Sequence, residues 1–573
     1  MNRLQNKVHC LLAFTWVLVA GRPIARAATD VTYYRDVLPV FLKSCAGCHR
    51  PGQPAPFSLV EYGPSANHAH DIRKDTESRR MPPWLVDPVC GEFAGRRPLT
   101  ESEIQLLARW EEEGAPAGDP AEAPTLPQWT EGWQGGKPDL VVKMPRPFPV
   151  PAGSRDIYRN FTIPVPLDRP RYVRAVEFRP GNPRMVHHAF VYVDSSGLSR
   201  TYDGRDGEPG YHFAMQPLNV KMPQGQFLTW QPGKQGPSGD AELPWLLRTN
   251  TDLVLALHLI GATNNQSAQC EVGLYFTDQA PRVTAFKLGL TAFDIDIPPL
   301  ARDYVVEDTF TLPADAEAWA VLPHAHRLAT TLEGWATLPD GTRRWLMRIP
   351  RWDFNWQGDY KYAHPLPLPK GTVLTMRYHY DNPAVPASGN GPAVAPARVR
   401  YGPRTSDEMA ELWLQLILKD PKDLPQFEEA QRLHSIRLSE AGARARLAAD
   451  PMDAQGNLDL GKVVLSNHGN PQEAEQHFRR AVAAAPENDQ AHYFLGLVLR
   501  MTDRPAEARK EFEETIRINP DDYKAHGNLG LIAMERGDRT AAILHLETAL
   551  KLNPTDQLCK DALRELNQRP PGQ

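Results

Sequence analysis

Leu322-Pro323-His324-Ala325-His326 stands in the middle of this 573-residue chain, and its reading decides how the middle folds. In a strand, residues i and i+2 point to the same face, so His324 and His326 can present two imidazoles to one ion. Taken alone, His-x-His is equally two surface histidines. Its surroundings read as strand. From residue 150 to about 420, short β-branched and aromatic runs (172–178, 189–193, 253–260, 372–380 and 411–418) alternate with Gly/Pro turns. That spacing predicts antiparallel sandwiches, and the length suits two of them, over 150–288 and 289–420.

Three more elements in this region could carry metal chemistry. In Val186-His187-His188-Ala189-Phe190 the histidines are adjacent, so a regular strand sends them to opposite faces. They can share one ion only at a strand end or a bulge. In Leu255-Ala256-Leu257-His258-Leu259 the histidine lies in an apolar run, and by itself reads as a core residue. In Tyr401-Gly402-Pro403-Arg404-Thr405-Ser406-Asp407-Glu408-Met409 the methionine alone would be packing.

Together the four elements resemble the copper type II, ascorbate-dependent monooxygenases, the family of peptidylglycine α-hydroxylating monooxygenase and dopamine β-monooxygenase. The resemblance covers roughly 270 residues, and its most specific part is Thr405-Ser406-Asp407-Glu408-Met409. It implies one copper at His187, His188 and His258, and a second, catalytic copper at His324, His326 and Met409. Imidazole suits both copper oxidation states, and thioether sulfur favours Cu(I). The implied fold is a pair of jelly-roll-like copper domains. The implied chemistry is O2 activation at the methionine-bearing site and hydroxylation of a substrate C–H bond. Two features depart from the family. The region holds one cysteine, Cys270, where animal members carry several disulfides. The peptide-amidating branch grips its substrate carboxylate with an Arg two residues before the His-x-His pair, and with Asn and Tyr after the methionine. Those positions here are Leu322, Glu411 and Trp413, so a glycine-extended peptide is not expected.

Upstream, residues 1–27 read as a secretory leader. Arg3 and Lys7 precede an apolar run that holds Cys10, and Ala25-Arg26-Ala27 forms a small-x-small cleavage site. A soluble chain in the periplasm or secreted is expected, with no transmembrane span after processing. Cys45-Ala46-Gly47-Cys48-His49 is a C-x-x-C-H motif, which attaches one haem c through its thiols and ligates the iron with the histidine. Met81 is the one methionine between residues 28 and 120, and it is the expected sixth ligand. His68 and His70 are its competitors. Amphipathic helices are expected over 33–43 and 100–114, the second opened by a capping box at Thr100. Residues 28–120, with Met81-Pro82-Pro83-Trp84, resemble cytochrome c domains that carry that M-P-P-W motif. A proline-rich linker is expected over 121–149.

Downstream, a helix over 425–449, within a linker at 421–452, leads into three 34-residue units, 453–486, 487–520 and 521–554, each ending in proline. Ala474, Ala508 and Ala542 fall in register, as do Leu495-Gly496 and Leu529-Gly530. This is the tetratricopeptide pattern, a solenoid with a capping helix at 555–568 and a concave face for a partner protein or peptide.

The fold class is therefore multidomain: a small all-α cytochrome c unit, two β-sandwich copper domains and an α-helical solenoid. Lys and Arg number 64 against 69 Asp and Glu, a balance that excludes nucleic acid as a natural partner. The expected function is an exported copper monooxygenase with a built-in haem donor. Its partners would be O2, an organic or peptide substrate, and an electron source such as ascorbate, a cytochrome or the quinone pool. An electron-transfer or copper-handling protein without oxygenase activity keeps the same ligands. A haem-bearing scaffold for repeat docking keeps only the haem. Cys90, Cys270 and Cys559 leave room for one disulfide.

Overall fold

The computed structural model describes residues 31–568, apart from 54, 96–97, 130–131, 155–156, 213–219, 224–225, 233, 235, 240, 262–263, 385–395 and 403. The expected leader, with Cys10, lies outside the described residues. The chain is multidomain: a helical N-terminal unit, a run of antiparallel sheets and a C-terminal helical array.

Aromatic side chains build the N-terminal unit. A single π-turn, Tyr33–Val37, runs into the helix Leu38–Ser44, and Tyr62–Asn67, Ala69–Glu77 and Glu101–Glu112 complete the group. Tyr33, Phe41, Leu107 and Trp110 are fully buried at its centre. Each polar tip finds a carbonyl: the Tyr33 hydroxyl donates to Leu59 O at 3.0 Å, and Trp110 Nε1 donates to Pro116 O at 3.1 Å. The capping box forms at Thr100 and Glu103. The stretch after Met81 leaves this unit and docks on the downstream sheets. Asp87 N donates to Arg348 O at 2.8 Å, Ala94 N donates to Lys361 O at 2.8 Å, and Phe93 stacks on Tyr362 at 5.0 Å.

Two sandwiches follow, and all their strand pairs are antiparallel. In the first, the sheet of Leu140–Lys143, Glu271–Thr277, Arg171–Arg179 and Trp245–Leu247 faces the sheet of Ile157–Pro164, Asp252–Leu259, Val186–Asp194 and Thr229–Trp230 across one apolar core. In the second, Thr284–Thr291, Ala410–Leu418, Ala316–Ala325 and Tyr360–Leu368 face Tyr304–Thr311, Val373–Tyr380, Ala329–Thr337 and Arg343–Ile349. Two expected boundaries move. Leu140–Lys143 lies inside the expected 121–149 linker and Phe148–Val150 straddles its end, yet both pair into the first sandwich. Thr284–Thr291 crosses the expected division at 288/289 and belongs wholly to the second sandwich through its ladder with Ala410–Leu418. Sheet pairing, which local pattern does not report, overrides composition at both places. The possible disulfide is absent: Cys90, Cys270 and Cys559 are free thiols, each buried in a different core, so no two come within bridging reach.

The helix Leu424–Ala449 is anchored to the second sandwich. Phe427 sits in its core against Phe286, and His434 Nε2 lies 2.8 Å from the buried Asp308 carboxylate. It delivers the chain to helix pairs beginning at Ala454–Val463 and Pro471–Ala484, then Asp489–Met501 and Pro505–Ile518, then Tyr523–Glu535 and Arg539–Leu552, closed by Gln557–Gln568. Asp453, Asn470, Asn488, Asp522 and Asp538 accept hydrogen bonds from the first turns of their helices, which is why each turn restarts a helix where it does. The recurring glycine lets the paired helices touch: a Cβ at Gly496 would stand 2.9 Å from the Phe512 ring. Arg205 of the first sandwich meets Asp521 at 3.0 Å, so the array is tied to both sandwiches. Among the described residues, no helix is long and apolar enough to cross a membrane.

Candidate functional site

The adjacent histidines are resolved by a β-bulge. Val186 pairs with Leu259 and His188 with His258, so His187 is the extra residue between two successive pairs. The bulge turns His187 to the same side as its neighbour. The donor atoms of His187, His188 and His258 lie within 4.8 Å of one another, and this is the single group of three or more His, Cys, Asp or Glu so placed among the described residues. The Nδ1 atoms of His187 and His188 are 3.1 Å apart. Two nitrogens about 2.0 Å from one ion stand roughly 3 Å apart, so the spacing fits a shared metal. Tyr158 stacks on His258 at 4.2 Å and holds its ring. Burial, followed by the neighbouring His258 and His187, keeps His188 well below its ordinary pKa and hence neutral, the form that binds a metal.

His324 and His326 form the second pair. Cross-strand pairing sets His324 opposite Glu411 and Ala325 opposite Ala410, which brings Met409 to the end of the ladder beside His326. Each ring has its Nδ1 committed: His324 to Gln357 Oε1 at 2.5 Å, His326 to Asp407 O at 2.9 Å. Both acceptors fix the Nδ1–H tautomer and leave Nε2 as the donor toward a metal. Burial lowers both histidines, His326 to about 4. The Glu408 carboxylate, itself inaccessible, accepts from His326 N at 2.9 Å and Leu328 N at 2.6 Å, which welds the His-x-His turn to the methionine strand. Tyr380 OH donates to Met409 O at 2.8 Å.

The two sets face each other across the interface between the sandwiches. His188, His258, His324, His326 and Met409 line one cavity of about 280 Å³. Phe354 stands between them, stacked on His187 at 5.6 Å and edge-on to His326 at 6.0 Å.

A second cavity, about 910 Å³, lies beside it. Cys45, Cys48, His49, His68 and Met81 line one wall, and His187 and Trp356 line the other. The volume falls in the range of cofactor sites, roughly 300–1,000 Å³. His49 Nδ1 lies 3.2 Å from Phe57 O, so its N–H is spent there and Nε2 is left for an axial bond. These residues fit a thioether-linked haem. Both expected sixth-ligand candidates Met81 and His68 reach the cavity, although His68 lies flat on Phe57 at 3.9 Å with Nδ1 3.3 Å from Asp71. His70 does not reach it: its side chain is 80% exposed beside Glu111.

All the site residues expected from sequence thus gather around two adjoining cavities. Gln357, Phe354, Tyr158 and Glu408 were not expected. Glu408 lies inside the Thr405–Met409 string and could have been suspected there. The others carry no local signal, because the histidines they contact are 28 to 167 residues away.

The tetratricopeptide repeat family matches residues 463–523 and 502–557. No curated protein matches the chain. Among solved structures, MamA is 21% identical over 25% of this chain and 76% of its own, with a TM-score of 0.23. The second TPR domain of human RPAP3, solved with an HSP70 peptide, is 21% identical over 21% of this chain and 98% of its own, with a TM-score of 0.20. By the family match, the C-terminal array is a set of tetratricopeptide repeats.

Proposed function

We propose that the chain is an exported haem- and copper-containing monooxygenase that hydroxylates a substrate C–H bond with O2. The observation that carries this reading is the position of His187, whose side chain belongs to the three-histidine cluster and also lines the cavity of the C-x-x-C-H thiols. In this reading copper supplies O2 activation and one-electron chemistry, and the haem supplies electrons.

The chain's own residues prepare for that. His187, His188 and His258 would hold one copper, and His324, His326 and Met409 would hold the other. Gln357 and Asp407 orient the second pair, and Glu408 keeps the methionine in place. Cys45 and Cys48 would attach the haem, and His49 and Met81 are the proposed iron ligands. Phe354 stands between the two imidazole sets, against His187 on one side and His326 on the other. The concave face of the repeats is proposed as a docking surface for a peptide or protein.

The test is rapid mixing of the reduced, metal-loaded protein with O2 and a panel of candidate substrates. Substrate-dependent O2 uptake with concurrent haem oxidation supports the proposal. Haem oxidation that ignores every substrate, with copper bound, favours an electron-transfer or copper-handling protein.

A further inference from the structure

Besides Arg159, which pairs with Asp206 at 2.7 Å, the same 280 Å³ cavity is lined by two partly buried ionisable side chains that the metal chemistry does not use. Lys287 lies on Thr284–Thr291 and Glu411 on Ala410–Leu418, neighbouring strands of one sheet. Met409, Glu411 and Trp413 alternate along one strand and so share a face. The Trp413 indole lies against Gly289, where a Cβ would come within 2.6 Å of the ring. Held flat by that glycine, it separates the two charges. Its Nε1 donates to Glu411 Oε2 at 3.0 Å, and the Lys287 ammonium sits over its ring at 4.9 Å. Burial pushes the Lys287 ammonium down to about 8 and the Glu411 carboxyl up from its ordinary value, each shift opposed in part by the other group's field, and no hydrogen bond or ion pair joins the two. Around them the wall is apolar: Phe190, Tyr192, Phe227 and Leu322.

A buried charge is costly unless it is paired. Two opposite charges held apart over one indole leave a gap that only certain ligands complete. A cation would satisfy Glu411 and be repelled by Lys287. An anion would satisfy Lys287 and be repelled by Glu411. A ligand with both charges neutralises both. We infer that Lys287 and Glu411 form the recognition site for a compact zwitterion, an amino-acid-like molecule whose carboxylate meets Lys287, whose ammonium meets Glu411 and whose apolar body fills the cavity. The volume, at the low end for ligand sites, suits a free small molecule. Two residues of strand span roughly 7 Å, so a ligand anchored at Glu411 reaches the methionine end of the strand with its body. The assignment names the substrate class of the proposed oxygenase. It rests on that reading for the reaction, and the binding itself does not require copper.

The test compares three probes with one body, L-phenylalanine, phenethylamine and 3-phenylpropionate, titrated calorimetrically into the full haem-loaded chain with and without copper. L-Phenylalanine is expected to bind at least tenfold tighter than either singly charged probe. Lys287→Met is expected to erase its advantage over phenethylamine, and Glu411→Gln its advantage over 3-phenylpropionate, with the haem spectrum unchanged in both. The same set on an isobutyl body (L-leucine, isoamylamine, 4-methylvalerate) guards against a poor fit of the ring. Equal binding of the three charge types, an unchanged ranking in both variants, or no binding by either body overturns the inference. Zwitterion binding in a chain that takes up no copper sustains the inference and defeats the oxygenase instead.

Discussion

Gln357 reaches 33 residues back to His324, and replacing it by leucine probes the second imidazole pair directly. Its Oε1 accepts the Nδ1–H of buried His324 at 2.5 Å, and its Nε2 donates to Phe354 O at 2.9 Å, which fixes the amide the right way round. Leucine keeps much of the volume and removes both bonds. A buried N–H without an acceptor costs about 1–3 kcal/mol. Loss of an outer partner of a metal-binding histidine typically costs about 10–100-fold in affinity, or roughly 1.4–2.7 kcal/mol. The two ranges agree, so Gln357→Leu should weaken Cu(I) at His324/His326/Met409 by one to two orders of magnitude. Competition with a Cu(I) chelator reads this, and the His187/His188/His258 site serves as internal control. Unchanged affinity at the second site, or an equal fall at both, would refute the role given to Gln357.

Other consequences are equally direct. Met81→Ala should convert the ferrous haem spectrum from six- to five-coordinate and lower its potential, while His68→Ala leaves both in place; the reverse pattern would make His68 the ligand. Folding of the metal-free chain should weaken in acid, because His326, held at about 4 by burial, stays neutral while the unfolded chain takes a proton near 6.5. That stability is complete above pH 6.5 and falls by about 3 kcal/mol as pH drops to 4, readable by urea denaturation at a series of pH values; a flat profile contradicts it. Gly496→Ala forces a Cβ against Phe512 and should destabilise the repeats by about 1–3 kcal/mol, seen as a lower-temperature helical transition with the haem spectrum untouched.

Sequence periodicity carried far where the chemistry is local. The strand runs at 172–178, 189–193 and 411–418 lie within the observed Arg171–Arg179, Val186–Asp194 and Ala410–Leu418, and the repeats restart where proline and a capping side chain demand it. For the adjacent histidines to share an ion, the sequence required a strand end or a bulge, and the ladder contains the bulge. What stayed hidden depends on pairing across the chain. No local pattern announces that Thr284–Thr291 belongs with Ala410–Leu418, or that Phe354 will stand between histidines contributed by two sandwiches. The adjoining cavity lined by Cys45 and Cys48 was illegible for the same reason: residues 84–95 place it by hydrogen bonds to strands some 260 residues later. His70 was a fair candidate by type, and only its exposure beside Glu111 removes it.

The central claim is tested most directly by counting copper and haem per chain in protein produced with haem-attachment machinery and loaded with copper, beside His324→Ala and Met409→Ala. The account predicts one haem and two coppers in the parent, the loss of one copper in His324→Ala, and a selective loss of Cu(I) affinity in Met409→Ala. One haem with no copper in any form would contradict it and leave a haem protein with a repeat scaffold.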